Sequence, residues 1–167
     1  GLLNFSVYCA HKTTPPALRA IANDPETAID GFILPGHVAT ITGLAPFGFL
    51  VDEFKTPGVV TGFEPVDILQ GICMLVQMVV ENRPAIDNAY RRGVNADGNP
   101  VARQLVEQVF EPCDTTWRGL GSIAASGLAI RPEFSHFDAS MRFDVSIEPT
   151  VEPRGCRCGD VLRGAIT

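Results

Sequence analysis

Among the residues in the first 64 of this chain that can bind a metal, move a proton or act as a nucleophile, four fall in the same local setting. They are Cys9 and His11 in VYCAHKTTPP, His37 in ILPGHVATITG, and Glu64 in VVTGFEPVDIL. Each follows a run of β-branched and apolar residues and precedes a stretch that opens like a helix. A thiol, two imidazoles and a carboxylate together make a donor set for a metal, and imidazole is the side chain that exchanges protons near neutral pH. A second grouping lies near the far end, where Cys156 and Cys158 form a CxC pair followed by Gly159. Two thiolates this close suit a soft metal or an iron–sulfur site and supply half of a four-ligand set.

The same residues also have plainer duties. Glu64 in the first turn of a helix favours the helix dipole on its own account, and His11 is equally a surface residue ahead of a helix. His37 is harder to assign to structure, because a loop histidine has no packing duty and the adjacent Gly36 lets the backbone approach a ligand.

The elements that must position these groups follow from periodicity. Leu2 to Ala10 reads as a buried strand, and Pro15-Pro16 opens a helix running to about Asn23, since a proline costs no hydrogen bond in a first helical turn. Ile29 to Leu34 is the next strand, with helix or turn from Gly36 and a helical patch from Phe47 to Phe54. Gly58 to Gly62 is a strand, and Glu64 to Asn82 a long helix with Pro65 in its first turn. Strand ends recur roughly every 26 residues, the rhythm of βα units feeding a parallel sheet. The expected fold is therefore α/β, a Rossmann-like, mostly parallel sheet flanked by helices. Ligands of such sheets bind beyond the carboxyl ends of the strands, so Cys9, His11, His37 and Glu64 are expected along one edge.

Farther on, Ile86 to Val94 reads as extended, DGNP at Asp97 to Pro100 as a turn, and Val101 to Phe110 as an amphipathic helix. Trp117 to Ile130 reads as one or two short strands. From Val145 no core-forming period is left and the tail is expected to be irregular. The expected division is an α/β lobe over residues 1–144 and the start of a C-terminal module over 145–167.

Composition narrows the function classes. Hydrophobic content of 46% and charged content of 19% describe a globular protein. A net charge of -6 without a Lys/Arg cluster excludes a nucleic-acid surface. The longest apolar run, Ile68 to Val80, is interrupted by Gln70 and Gln77 and is too short to span a membrane. The start lacks the basic region of a signal peptide, and a first residue of Gly1 inside a strand-like run suggests a chain that begins within a longer protein. Five cysteines, an odd and scattered number, read as reduced thiols of a cytoplasmic protein rather than a disulfide framework. Among them Cys73 is expected in the core and Cys113 in a loop.

Two further segments hold recognition chemistry. In TTWRGLGSIAASGL, Trp117 and Arg118 set an apolar plate beside a fixed cation, which suits docking a partner or an anionic group; a glycine-rich turn with a core tryptophan reads equally well. In AYRRGVNADGNP, Arg91 and Arg92 are either solvated or functional. No phosphate-binding GxxxxGK[ST] loop is present.

Taken in order, FSVYCAHKTTPPAL, DGFILPGHVATITG, VVTGFEPVDILQGI, NAYRRGV with DGN, WRGLGSIAASGL, FDA at Phe137 to Ala139, and CGDVLRG resemble the HypD family of hydrogenase maturation proteins along nearly the whole chain. The resemblance implies a scaffold for the iron centre of NiFe hydrogenases, Fe(CN)2CO, built from two Rossmann-like lobes and a module with a [4Fe-4S] cluster. It implies HypC-like and HypE-like partners, the first sharing the iron and the second delivering cyanide. On this likeness His37 and Glu64 fall on motifs facing an interlobe cleft and are the expected catalytic pair, while Cys9, His11, Trp117 and Arg118 are candidates for the cleft or for partner binding. Cys158 falls on the first cysteine of the cluster module, with Cys156 as a further metal candidate whose place the likeness leaves open.

Departures from the family pattern matter too. The CGGHT-like and GPGCPVC-like motifs of the family's first lobe, and the later cysteines of its cluster module, are not in this sequence. The expectation is a second lobe of a longer protein, in which neither cluster nor iron site is complete. A different class of function stays open: a metal-dependent or small-molecule-binding α/β domain using His11, His37 and Glu64. A third reading is a docking domain in which WRGLG binds a partner and no polar residue does chemistry.

Overall fold

The computed structural model describes residues 3–144 and 151–166, and its contacts divide into two compact units. One is Ile21–Gln104; the other combines Gly1–Ala20 with Leu105–Thr167. The sequence boundary expected at 144/145 abuts residues 145–150, which lie outside the described residues.

The unit Ile21–Gln104 is the parallel α/β part. Its strands are β1 (Phe32–Pro35), β2 (Gly58–Thr61) and β3 (Ile86–Asn88), hydrogen-bonded in the order β1-β2-β3, with both pairs parallel. All four residues of β2 are buried, as a central parallel strand covered on both faces requires. Helix α1 (Thr14–Ala22) leads into this unit with Pro15 and Pro16 in its first turn. After β1 comes α2 (Gly36–Thr42), then a 3-10 turn at Ala45–Phe47 and α3 (Phe49–Asp52). After β2 comes α4 (Pro65–Val80). Leu34, Phe47, Leu50, Val59 and Val60 are fully buried, each removing an apolar side chain worth roughly 1.5–3 kcal/mol from water.

Helix α4 shows how local sequence sets element ends. Pro65 takes the first helical position, where its missing N–H is no loss. At the other end Asn82 adopts φ 48°, and Arg83 N–H reaches back to the Met78 carbonyl at 2.9 Å, the Schellman arrangement that satisfies the last carbonyls. One face packs Met74, Leu75 and Met78 on Val59 and Ala89. The opposite face leaves Val66, Leu69, Ile72, Val76, Val79 and Val80 exposed. Cys73 lies on that exposed side, a correction to the core position expected for it. The helix is apolar around its circumference, so period alone does not tell which face is covered.

The second unit is built on an antiparallel hairpin. Helix α5 (Pro100–Val109), capped by Asn99 Oδ1 accepting from Ala102 N–H at 3.0 Å, runs into β4 (Phe110–Trp117). β4 pairs with β5 (Gly121–Ile130), with an irregularity between Cys113 and Thr115. Asp114 Oδ1 accepts from Ala125 N–H at 2.9 Å, tying down a residue that takes φ 51°. The short strands expected over Trp117 to Ile130 are the one strand β5, and β4 stands ahead of them where a loop was expected, so Cys113 is a strand residue rather than a loop one. Short helices α6 (Ala139–Arg142) and α7 (Cys158–Leu162) complete the unit.

The largest correction concerns the amino-terminal segment. Leu2 lies outside the described residues, and from Leu3 to Ala10 there is no strand of the parallel sheet. Val7 forms an isolated bridge with Asp138 and Lys12 one with Gly127. Within the run, Val7 N–H donates to the Phe137 carbonyl at 2.8 Å and the Val7 carbonyl accepts from Ala139 N–H at 2.9 Å, so these groups are not offered to a parallel neighbour; just past the run, Thr13 N–H donates to Ser126 and Leu128 N–H to His11. Leu3, Phe5 and Tyr8 are exposed, so the run lacks the two-sided burial of a parallel strand.

Candidate functional site

Three parallel strands end on one edge of the sheet, and the residues just past those ends form a connected cluster. His37 follows β1 as the second residue of α2. Phe63 and Glu64 follow β2, with Glu64 as the cap residue of α4 and Asp67 in its first turn. Tyr90 and Arg92 follow β3. The expectation that His37 and Glu64 share an edge is met by the parallel pairing of β1 with β2.

Aromatic packing and charge hold the cluster together. The His37 ring stands edge-on to Phe63, centroids 4.7 Å apart, and lies 6.3 Å from Tyr90. Arg92 stacks over Tyr90 with its guanidinium carbon 4.6 Å from the ring centroid. The same guanidinium grips Asp67 with both arms, Nη1 to Oδ1 and Nη2 to Oδ2 at 2.6 Å each, and reaches Glu64 Oε2 at 2.7 Å. Asp67 is buried, and the bond from Arg92 outweighs desolvation to hold its carboxyl below the ordinary aspartate value. The charge of Arg92 and a backbone bond from Glu64 add to this. Reciprocally, the Asp67 bond raises Arg92.

Gly36 serves this packing. A Cβ there would come within 2.9 Å of the Tyr90 ring and 3.0 Å of the Thr61 carbonyl carbon. The residue is buried, so its small size admits Tyr90 and β2 rather than an approaching ligand. Sequence reasoning did not single out Asp67 or Tyr90, and left Arg92 undecided. The signal was the rule already used for His37 and Glu64: look just past each strand end. Ending the third strand at Asn88 points it at Tyr90 and Arg92.

Cys9 and His11 belong to the other unit and are not part of that strand-end row. Cys9 Sγ lies 3.1 Å from His11 Nδ1 and donates to the Leu128 carbonyl at 3.0 Å. The His11 ring packs edge-on to Phe110 at 5.5 Å. Their segment is anchored by β5, for the reason given by its backbone bonds.

Within the same unit the WRGLG turn meets the CxC segment. Gly119 takes φ 77°, and a Cβ on it would come within 2.9 Å of Gly159 Cα; only glycine allows the two backbones this close. Gly119 N–H donates to Glu152 Oε1 at 2.7 Å. Trp117 is half-buried, its indole N–H on the buried Ser126 hydroxyl at 2.9 Å, and Lys12 stands over its ring while donating to the Thr116 carbonyl. Lys12, Thr116, Arg118, Val151, Glu152 and Pro153 line a cleft of about 440 Å3.

Arg118 is thereby brought to the thiols. A backbone bond from Cys158 is the main cause that lowers Cys156, followed by the Cys158 side chain and by Arg118. Sharing that bond raises Cys158, and contact with Cys156 raises Arg118. The two thiols are thus shifted in opposite directions, Cys156 down and Cys158 up. As a ligand set for a [4Fe-4S] cluster it is half complete, since such a cluster takes four thiolates. Among the described residues no group of three or more His, Cys, Asp or Glu side chains is arranged to hold a metal.

A three-stranded parallel sheet flanked by helices, and a second unit with an antiparallel hairpin and the CxC segment, define an α/β protein. The family model described as HypD, hydrogenase formation hypA family, matches residues 1–167. The chain is 44% identical over 170 residues to hydrogenase maturation factor HypD2 of Bradyrhizobium diazoefficiens, covering 98% of this chain and 45% of that protein. It is 42% identical over 169 residues to HypD of Rhodobacter capsulatus, covering 98% and 45%. Against HypD of Escherichia coli K12 it is 40% identical over 164 residues, covering 96% and 43%. The chain belongs to the HypD family, and it spans a little under half the length of these relatives. Among the described residues no helix is long and apolar enough to cross a membrane.

Proposed function

We propose that this chain acts in NiFe hydrogenase maturation, as part of the scaffold on which the Fe(CN)2CO centre is assembled with HypC-like and HypE-like proteins in the cytoplasm. Family membership over the whole chain supports the reading. The observation that carries it to residues is the strand-end cluster, where the exposed His37 and Glu64 stand on a base of Phe63, Tyr90, Asp67 and Arg92. His37 provides a hydrogen bond or a proton to a ligand of the iron, and Glu64 a fixed carboxylate. In the full-length protein Cys156 and Cys158 contribute to a [4Fe-4S] cluster completed by cysteines outside this chain, with Arg118 offsetting thiolate charge. Trp117 and the WRGLG turn, with Cys9 and His11, serve cleft or partner contacts.

The test is anaerobic copurification of the full-length protein with a HypC-like partner, followed by infrared spectroscopy. Cyanide and carbonyl stretching bands on the complex are expected; a complex that carries iron without them contradicts the reading. The metal-domain alternative needs His11, His37 and Glu64 as one ligand set, and would give tight stoichiometric zinc or iron binding by this chain alone.

A further inference from the structure

We propose that Arg92 is the positioning residue of the strand-end cluster, fixing the Glu64 carboxylate in place from a guanidinium that Asp67 and Tyr90 lock; the inference rests on the functional reading of Glu64 above. The charge arithmetic of the cluster motivates it. Asp67 offers both oxygens to one guanidinium, at 2.6 Å each, with its side chain 6% exposed. That bidentate pair is complete in itself. The third bond, to Glu64 at 2.7 Å, joins a side chain that is 73% exposed. It is not needed for charge balance, and solvent screening leaves such a pair little to add to stability. Its consequence is geometric: a long, mobile carboxylate is restrained to one place.

The restraint is itself well supported. Arg92 lies 4.6 Å over Tyr90, and Tyr90 in turn neighbours His37. Asp67 receives the backbone N–H of Glu64, so the residue that locks Arg92 is also tied to the residue that Arg92 positions. A lysine keeps the charge but lacks the planar fork that serves two carboxylates at once. Asp67, Glu64 and Arg92 come from the turn after β2 and the turn after β3, so one side chain couples two strand ends.

The test uses the full-length protein, with hydrogenase maturation and thermal midpoint read for Glu64→Gln, Glu64→Asp, Arg92→Lys and the double variant Glu64→Gln/Arg92→Lys. Glu64→Asp keeps the carboxylate but draws it one methylene back from Arg92, leaving the Asp67 pair intact, and so decides the question even if Arg92→Lys folds poorly. The proposal expects at least a tenfold loss of maturation in Glu64→Gln, a comparable loss in Glu64→Asp and Arg92→Lys, and a double variant no worse than twofold below Glu64→Gln. The midpoint of Glu64→Asp stays at wild type. Loss in Glu64→Gln with full maturation in Glu64→Asp and Arg92→Lys overturns the positioning role and leaves Glu64 itself standing. Additive losses in the double variant assign Arg92 a separate, structural part and overturn it likewise. Full maturation in Glu64→Gln removes the functional reading of Glu64 and the proposal with it.

Discussion

The strand-end cluster of Ile21–Gln104 and the CxC segment of the other unit hold reactive groups by opposite means. In the first, a buried carboxylate anchors the cluster: Asp67 is matched by Arg92, and the strands beneath are fixed by parallel register and a filled core. In the second, the thiols are half-buried and are held by one another, by Arg118 and by a glycine-to-glycine approach. One arrangement fixes where a group stands; the other shifts which protonation state it holds. The difference matches the tasks proposed for them, since a proton donor needs placement and a thiolate ligand needs charge stabilisation.

The largest effect expected from disturbing this contrast is in the core below the first region. Leu34, fully buried in β1, is expected to cost about 2–5 kcal/mol on replacement by alanine, as buried leucines do. Urea denaturation of Leu34→Ala against wild type measures it. A loss below about 1 kcal/mol on the same scale would mean that the sheet does not rest on this packing.

Next in size is a pH effect. The folded-state value of Asp67 is depressed, chiefly by the Arg92 bond. Its contribution is therefore fully present above the ordinary value of 3.8 and is lost as pH falls through the lower folded value. Denaturation midpoints taken from neutrality into strong acid should show wild type above Asp67→Asn at neutral pH, with the gap closing below 3.8. A gap constant across that range would show that the carboxylate charge is not what Arg92 binds.

The smaller effect belongs to the second region. Iodoacetamide under mildly alkaline conditions should modify Cys156 several-fold faster than Cys158, because its thiol is shifted down while that of Cys158 is shifted up. Gly119→Ala, which places a methyl group against Gly159, should reduce that preference. Peptide mass spectrometry over a time course reads both rates. Equal rates in the wild type would remove the asymmetry on which the comparison rests.

What the sequence made legible follows the range of the forces. Helix ends set by Pro65, Asn82 and Asn99 are local and were readable, as was the parallel order from the strand–turn–helix rhythm. The run from Leu3 to Ala10 misled because apolar composition specifies burial but not the partner, and Phe137 and Ala139 take the backbone groups of Val7. Cys73 misled because α4 is apolar on every side. Asp67 and Arg92 lie 25 residues apart, and no local pattern pairs them; only the strand-end rule reaches both. The meeting of Gly119 with Gly159 is likewise long-range, although WRGLG was readable as a glycine-rich turn.

The central claim is that His37 acts from the strand-end cluster rather than by packing, and one comparison tests it most directly. His37→Ala in the full-length protein is measured for hydrogenase maturation and thermal midpoint beside wild type. His136→Ala, in the turn Pro132–Phe137 of the other unit, serves as control. His37 is exposed, and substitutions at such positions shift stability by only about 0.5 kcal/mol. The account predicts that His37→Ala loses maturation while its midpoint and the control's activity stay at wild type. Full maturation with His37→Ala, or a loss matched by an equal fall in midpoint, would contradict it.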